Sequence, residues 1–136
     1  MAVVLIDTCV VADLANPGSD WFDWSASTME RMDGQHEFVI NQIIYAECSI
    51  GYDSIEEMEA LIKRLDFAVI PLPRAALFLA GKKFLQYRKN KGQKLNVLPD
   101  FFIGAHAAVE KYVLMTRDKG RFSTYFSSVE LIIPNH

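Results

Sequence analysis

Short apolar runs alternate along this chain with longer segments of helical periodicity. Residues 3–7, "VVLID", form an apolar run that closes on an acid, as expected of a strand buried on both faces of a parallel sheet. "TCVVADLA" then predicts a short helix that stops at Asn16-Pro17-Gly18. Trp21, Trp24, Thr28 and Met32 recur at helical spacing and predict a helix over 21–32. A second strand follows at 37–40, and Asn41 can cap a helix carrying Ile43, Ile44, Ala46 and Glu47 up to Gly51. Ser54 with Glu57 matches a capping box opening a helix to about Leu65. "FAVIPL" is a brief third strand ended by prolines, and 74–89 a long helix with Leu77, Leu79, Ala80, Phe84 and Tyr87. After the polar loop "NKGQKLN", Pro99 suits a first helical turn, which puts Asp100 just inside a helix running to about Lys111. Strands at 112–116 and 129–133 complete the pattern. Strands alternating with helices predict an α/β fold with a mostly parallel sheet and right-handed crossovers.

Composition narrows this only modestly. At 136 residues, 51% hydrophobic and 23% charged, the chain is expected to be one compact domain over 1–136. Its start has no basic segment and meets Asp7 after six apolar residues, so no signal peptide is expected; nor does any apolar run suit a membrane span. Cys9 and Cys48 are too few for a disulfide scaffold and lack zinc-ligand spacing. The cytoplasm is the expected address. Charge changes the picture more. The net charge of −3 divides into thirteen acids against three bases over 1–73, and four acids against eleven bases over 74–136. Lys82, Lys83, Arg88, Lys89, Lys91 and Lys94 fall in thirteen residues without an acid, which suits either a phosphate footprint or a solvated helix end.

The chemistry rests on four acids. Asp100 precedes "FFIGA", an apolar run that offers it no partner, and a lone buried carboxylate costs several kcal/mol or takes up a proton. In an open parallel sheet the functional crevice lies beyond the carboxyl ends of the strands. Asp7 ends the first strand, Asp118 lies two residues beyond the fourth, Asp100 begins the helix feeding that strand, and Glu47 lies on the helix after the second. Any one of them suits a cap or turn. Gathered together, they would repel and raise one another's pKa unless a cation joined them, and hard oxygen ligands favour Mg²⁺ or Mn²⁺.

"LIDTCVVADL", "NQIIYAECSIG", "LPDFFIGAHA" and "LMTRDKGRFSTYF" resemble, in order and spacing, the motifs of the PIN domain, and within it the VapC-type toxins of bacterial toxin–antitoxin systems. The resemblance spans essentially the whole chain. It implies a three-layer α/β/α domain with a sheet of four to five strands, and a Mg²⁺- or Mn²⁺-dependent endoribonuclease that inhibits translation. It also implies a homodimer neutralised by a cognate VapB-like antitoxin whose tail occupies the active-site groove. By resemblance, Asp7 and Asp100 are direct metal ligands, Glu47 and Asp118 act through water or a second ion, and Thr116 orients an acid. Many relatives carry Asn or Ser at the position of Cys9, and a thiol is the weaker hydrogen-bond partner.

Other residues are expected to play lesser parts. His106 lies about 240° around a helix from Asp100, pointing to packing or surface, while His36 near a loop and His136 at the terminus suggest no ligand. Cys9 is not read as a nucleophile, because Ala15 stands where a cysteine phosphatase carries its phosphate-binding Arg; Cys48 suits a small buried filler. Trp21/Trp24 and Phe101/Phe102 suit core or a subunit interface. Arg117 and Arg121 can hold RNA phosphate or balance the acids, with phosphate favoured; Lys82, Lys83, Arg88 and Lys89 are the other phosphate candidates. A haloacid-dehalogenase-like phosphatase needs an Asp where Cys9 stands, and a receiver domain's acidic pair is absent. The remaining rival is a catalytically silent module of the same fold.

Overall fold

The computed structural model describes residues 2–94 and 96–135. Leu95, in the polar loop after the long helix, and the terminal His136 lie outside the described residues. In chain order the elements are β1 (Ala2–Ile6), α1 (Thr8–Ala15), α2 (Phe22–Met32), β2 (His36–Asn41), α3 (Gln42–Ser49), α4 (Ile55–Leu65), β3 (Ala68–Ile70), α5 (Arg74–Lys89), α6 (Leu98–Glu110), β4 (Val113–Met115), α7 (Lys119–Tyr125) and β5 (Leu131–Ile132). Five strands make one sheet in the order β3-β2-β1-β4-β5, every neighbouring pair parallel. This is the α/β/α architecture expected. Among the described residues no helix is long and apolar enough to cross a membrane.

β1 lies at the centre, and its Val4, Leu5 and Ile6 are fully buried, as an unbroken apolar run requires between two helical layers. The chain winds outward from β1 through β2 to β3, then returns to place β4 on β1's other edge. That reversal between β1 and β4 is the switch point at which open parallel sheets place their sites. The register there pairs Ile6 with Met115, and the Asp7 amide donates to the Met115 carbonyl at 3.0 Å. Asp7 and Thr116 therefore leave the sheet side by side.

Local chemistry explains the helix starts. The Asn41 side chain accepts from the Ile44 amide at 3.0 Å, capping α3. Its amide nitrogen lies 3.1 Å from Nδ1 of His106, whose pKa burial pushes below the ordinary value. His106 thus takes the packing alternative. Ser54 Oγ accepts from the Glu57 amide, while Glu57 reaches back to the Asp53 amide, one residue earlier than the standard capping box.

α7 has no counterpart in the sequence pattern. It is short, carries Gly120, and buries a single residue, Phe122. Tertiary packing holds it instead: α6 packs on α7, and the Phe126 ring lies where a Cβ on Gly104 would come within 2.4 Å of it. Phe101 is fully buried among Phe84, Tyr87, Tyr125 and Phe126, with ring centroids 5.3–6.0 Å away, so it is core. This aromatic cluster joins the helix of Asp100 to the helix of Arg121.

Candidate active site

Asp7 is the innermost of the four acids. It is the N-cap of α1, with Oδ1 accepting from the Thr8 amide at 2.8 Å. Oδ2 accepts from Thr116 Oγ1 at 2.6 Å, and from Cys9 Sγ at 3.5 Å. Thr116 Oγ1 in turn accepts from the Asp118 amide at 3.0 Å, so one hydroxyl fixes both the acid and the turn after β4. These bonds favour the charged carboxylate, yet burial outweighs them, helped by the nearby Asp118 charge, and the Asp7 pKa is raised. Cys9 therefore keeps a weak contact where a stronger polar partner was expected to be lost.

The other acids face Asp7 from three elements. Glu47, on α3, accepts from Thr8 Oγ1 at 2.6 Å, which ties α3 to the first turn of α1. Thr8 is a positioning residue that the sequence reading missed; its signal was a hydroxyl directly after an acid at a helix start. Asp118 is the exposed N-cap residue of α7. Asp100 sits half-buried in the first turn of α6, its pKa pushed up to about 6. Burial is the main cause, Asp7 and Glu47 add repulsion, and Arg121 opposes them without winning. Asp100 thus feels Asp7 and Glu47, while Asp7 feels Asp118. The fold gathers all four acids into one electrostatic neighbourhood.

Asp100 does have a cationic partner. Arg121 Nη1 lies 2.5 Å from Asp100 Oδ2 and 3.7 Å from Asp118 Oδ2. Among the described residues, no group of three or more His, Cys, Asp or Glu side chains is arranged to hold a metal ion as it stands. The donor chemistry nonetheless fits a hard divalent cation: four carboxylates brought together, two of them with the pKa raised by burial first and by a neighbouring carboxylate second.

A family model described as "PIN domain" matches residues 4–125. The chain belongs to the PIN domain family. No curated protein matches it significantly. Among solved structures, it is similar to VapBC2 from Rickettsia felis bound to a promoter DNA fragment: TM-score 0.75, 16% identity, covering 96% of this chain and 98% of that one. It is similar also to VapBC-1 from nontypeable Haemophilus influenzae, with TM-score 0.71, 19% identity and coverage of 96% and 97%. FitAcB from Neisseria gonorrhoeae matches with TM-score 0.65, 18% identity and coverage of 95% and 96%.

Within this PIN domain the remaining expectations fall out unevenly. Arg117, expected to favour phosphate, is instead paired to Asp13: Nε lies 2.9 Å from Oδ2 and Nη2 3.4 Å from Oδ1. The reason is that Asp13, on the inner face of α1, is itself buried and needs a cation. Arg121 likewise balances acids. Lys82, Lys83, Arg88 and Lys89 make no ion pair with any acid among the described residues; Lys82 lies 5.2 Å above the Phe78 ring. Burial and the Asp7 charge push the Cys9 thiol up to about 12, and burial with Glu47 does the same to Cys48. Neither thiol is poised for attack. A cavity of about 520 Å³ lies away from the four acids, between α1, α2 and α4, with Leu14, Phe22, Met29 and Leu65 in its walls. It is a surface groove distinct from the acid site.

Proposed function

We propose that this PIN domain is a metal-dependent endoribonuclease, the toxin of a VapBC-type pair, which inhibits translation by hydrolysing RNA phosphodiester bonds. The observation that carries this reading is the convergence of Asp7, Glu47, Asp100 and Asp118 at the β1/β4 switch point, with two carboxyl pKa values raised. Asp7 and Asp100 would hold Mg²⁺ or Mn²⁺. When bound, such an ion supplies neutralising charge on the scissile phosphate and lowers the pKa of a water.

The chain's own residues do the rest. Thr116 and the Thr8 amide fix the Asp7 carboxylate, and Thr8 Oγ1 fixes Glu47. Glu47 or Asp118 orients the attacking water and takes its proton, as the new O–P bond forms and the P–O3′ bond breaks, the departing O3′ taking a proton from solvent. The products are a 5′-phosphate and a 3′-hydroxyl. The acid-free stretch from Lys82 to Lys94, with Lys82, Arg88 and Lys89 exposed, supplies cations to guide the RNA backbone. The likeness to VapBC2 and VapBC-1 supports a VapB-like antitoxin as partner. A second copy of the chain suits the exposed Leu77, Phe78 and Leu85, which lie within one arc of α5.

The test is cleavage of total RNA by the purified chain and by Asp100→Asn, each with Mg²⁺, Mn²⁺ or EDTA. Discrete fragments from the wild type with either metal, lost with EDTA and in Asp100→Asn, are expected. Absence of cleavage from folded, partner-free protein under every metal would favour the silent module. Cleavage that persists in Asp100→Asn would place the site elsewhere.

A further inference from the structure

The acid cluster contains a fifth charged group whose position the hydrolytic scheme leaves unused. The Arg121 guanidinium touches Asp100 Oδ2 and reaches toward Asp118 Oδ2. Among the described residues, no other Lys, Arg or His forms an ion pair with any of the four acids. Arg121 is in the first turn of α7, a helix fixed from below by Phe122 and by Phe126 against Gly104. Its anchor is therefore packed, while its own side chain is 23% exposed and the Asp118 side chain beside it 50%, so the head has a path outward on that side.

A guanidinium and a divalent cation cannot both sit in contact with one carboxylate oxygen without strong mutual repulsion. Nor can the guanidinium lose its charge near neutral pH. Movement of the arginine relieves the conflict, because an ion on the free Oδ1 would still lie only a carboxylate's width from the guanidinium on Oδ2. We propose that Arg121 is a resident counter-cation of the site, which leaves Asp100 when a divalent ion enters and then presents its guanidinium to the RNA phosphate. This rests on the metal-dependent reading above and adds a regulatory consequence to it. In the metal-free state Arg121 partly offsets the charge of the acids and is withdrawn from substrate. In the loaded state the same residue is released beside the scissile bond, so metal occupancy and phosphate binding favour one another. Guanidinium suits this role because its planar fork pairs with carboxylate and phosphate alike.

The experiment counts free Mn²⁺ by electron paramagnetic resonance during titration of the partner-free chain, with folding checked by circular dichroism. The wild type is compared with Arg121→Gln, Arg121→Lys, Asp100→Asn and Lys119→Gln. Removing a contact cation should tighten Mn²⁺ binding roughly tenfold in Arg121→Gln, with Arg121→Lys in between. Lys119, exposed and next to Asp118, controls for charge alone, and its variant should stay within about twofold of wild type. Unchanged or weaker binding in both Arg121 variants would overturn the exchange, as would an equal gain in Lys119→Gln. If wild type and Arg121→Gln both lack binding that depends on Asp100, the metal reading itself fails and the exchange falls with it. Should Arg121→Gln not fold, the sign of the Arg121→Lys change decides.

Discussion

Arg117 and Arg121 lie four residues apart and each holds an aspartate, but the two pairs are built to different ends. Asp13 is 3% exposed, and both its oxygens are filled: Ser19 Oγ at 2.7 Å and Arg117 Nη2 share Oδ1, while Arg117 Nε and Ser25 Oγ at 3.5 Å share Oδ2. The guanidinium also lies 5.6 Å from the Trp21 ring. This closed network ties α1 and the entry to α2 to the turn that follows β4. Asp100, by contrast, receives one donor on one oxygen and has Asp7 and Glu47 nearby. Its pKa remains high in spite of the arginine. A saturated pair braces the turn carrying Thr116 and Asp118; an under-compensated pair leaves charge available for a ligand. The second arrangement lowers stability and is retained where chemistry needs it.

Substitution should separate the two pairs by sign. The largest effect is expected for Asp13→Asn, which strands the Arg117 charge against a half-buried surface and should destabilise the fold by about 3 kcal/mol. Denaturant midpoints measure this, and a loss within error would mean that the network is not a brace. Asp100→Asn should act in the opposite direction and more weakly. The Asp100 carboxyl rises from an ordinary 3.8 to about 6, so the folded state holds its proton to higher pH than the unfolded state does. The resulting penalty is absent below the ordinary value, grows as pH rises, and is complete above the folded value. Asp100→Asn should therefore gain about 1 kcal/mol over wild type in EDTA at about pH 7.5, and almost nothing near pH 4. Melting temperatures at the two pH values test it; a loss at neutral pH would make the Asp100 pair structural as well.

Much of this arrangement is legible in the sequence because local patterns encode it. "VVLID" yields both a buried central strand and an acid at its end, and Asn41 and Ser54 announce the helices they cap. Three of the four acids, Asp7, Asp100 and Asp118, could be picked out because each stands where an apolar run meets an element end; Glu47 lies within the helix after the second strand. What escaped is what depends on contacts across the chain. Arg117 and Asp13 are 104 residues apart, and nothing beside Asp13 signals that it is buried. The Thr8–Glu47 bond spans 39 residues. α7 is held by Phe122 and by Phe126 on Gly104, a packing that periodicity in "KGRFSTY" does not display. Because α7 was missed, Arg121 read as a cation near Asp118 that could hold phosphate or balance the acids, and its reach to Asp100, 21 residues earlier, was hidden.

Both the proposed hydrolysis and the Arg121 exchange require a divalent ion held by Asp7 and Asp100. Anomalous diffraction from crystals of the chain grown or soaked with Mn²⁺ tests this most directly. The expected result is a manganese peak in contact with the Asp7 and Asp100 carboxylates, with the Arg121 guanidinium moved off Asp100. A site free of manganese at saturating concentration, with Arg121 still on Asp100, would contradict it.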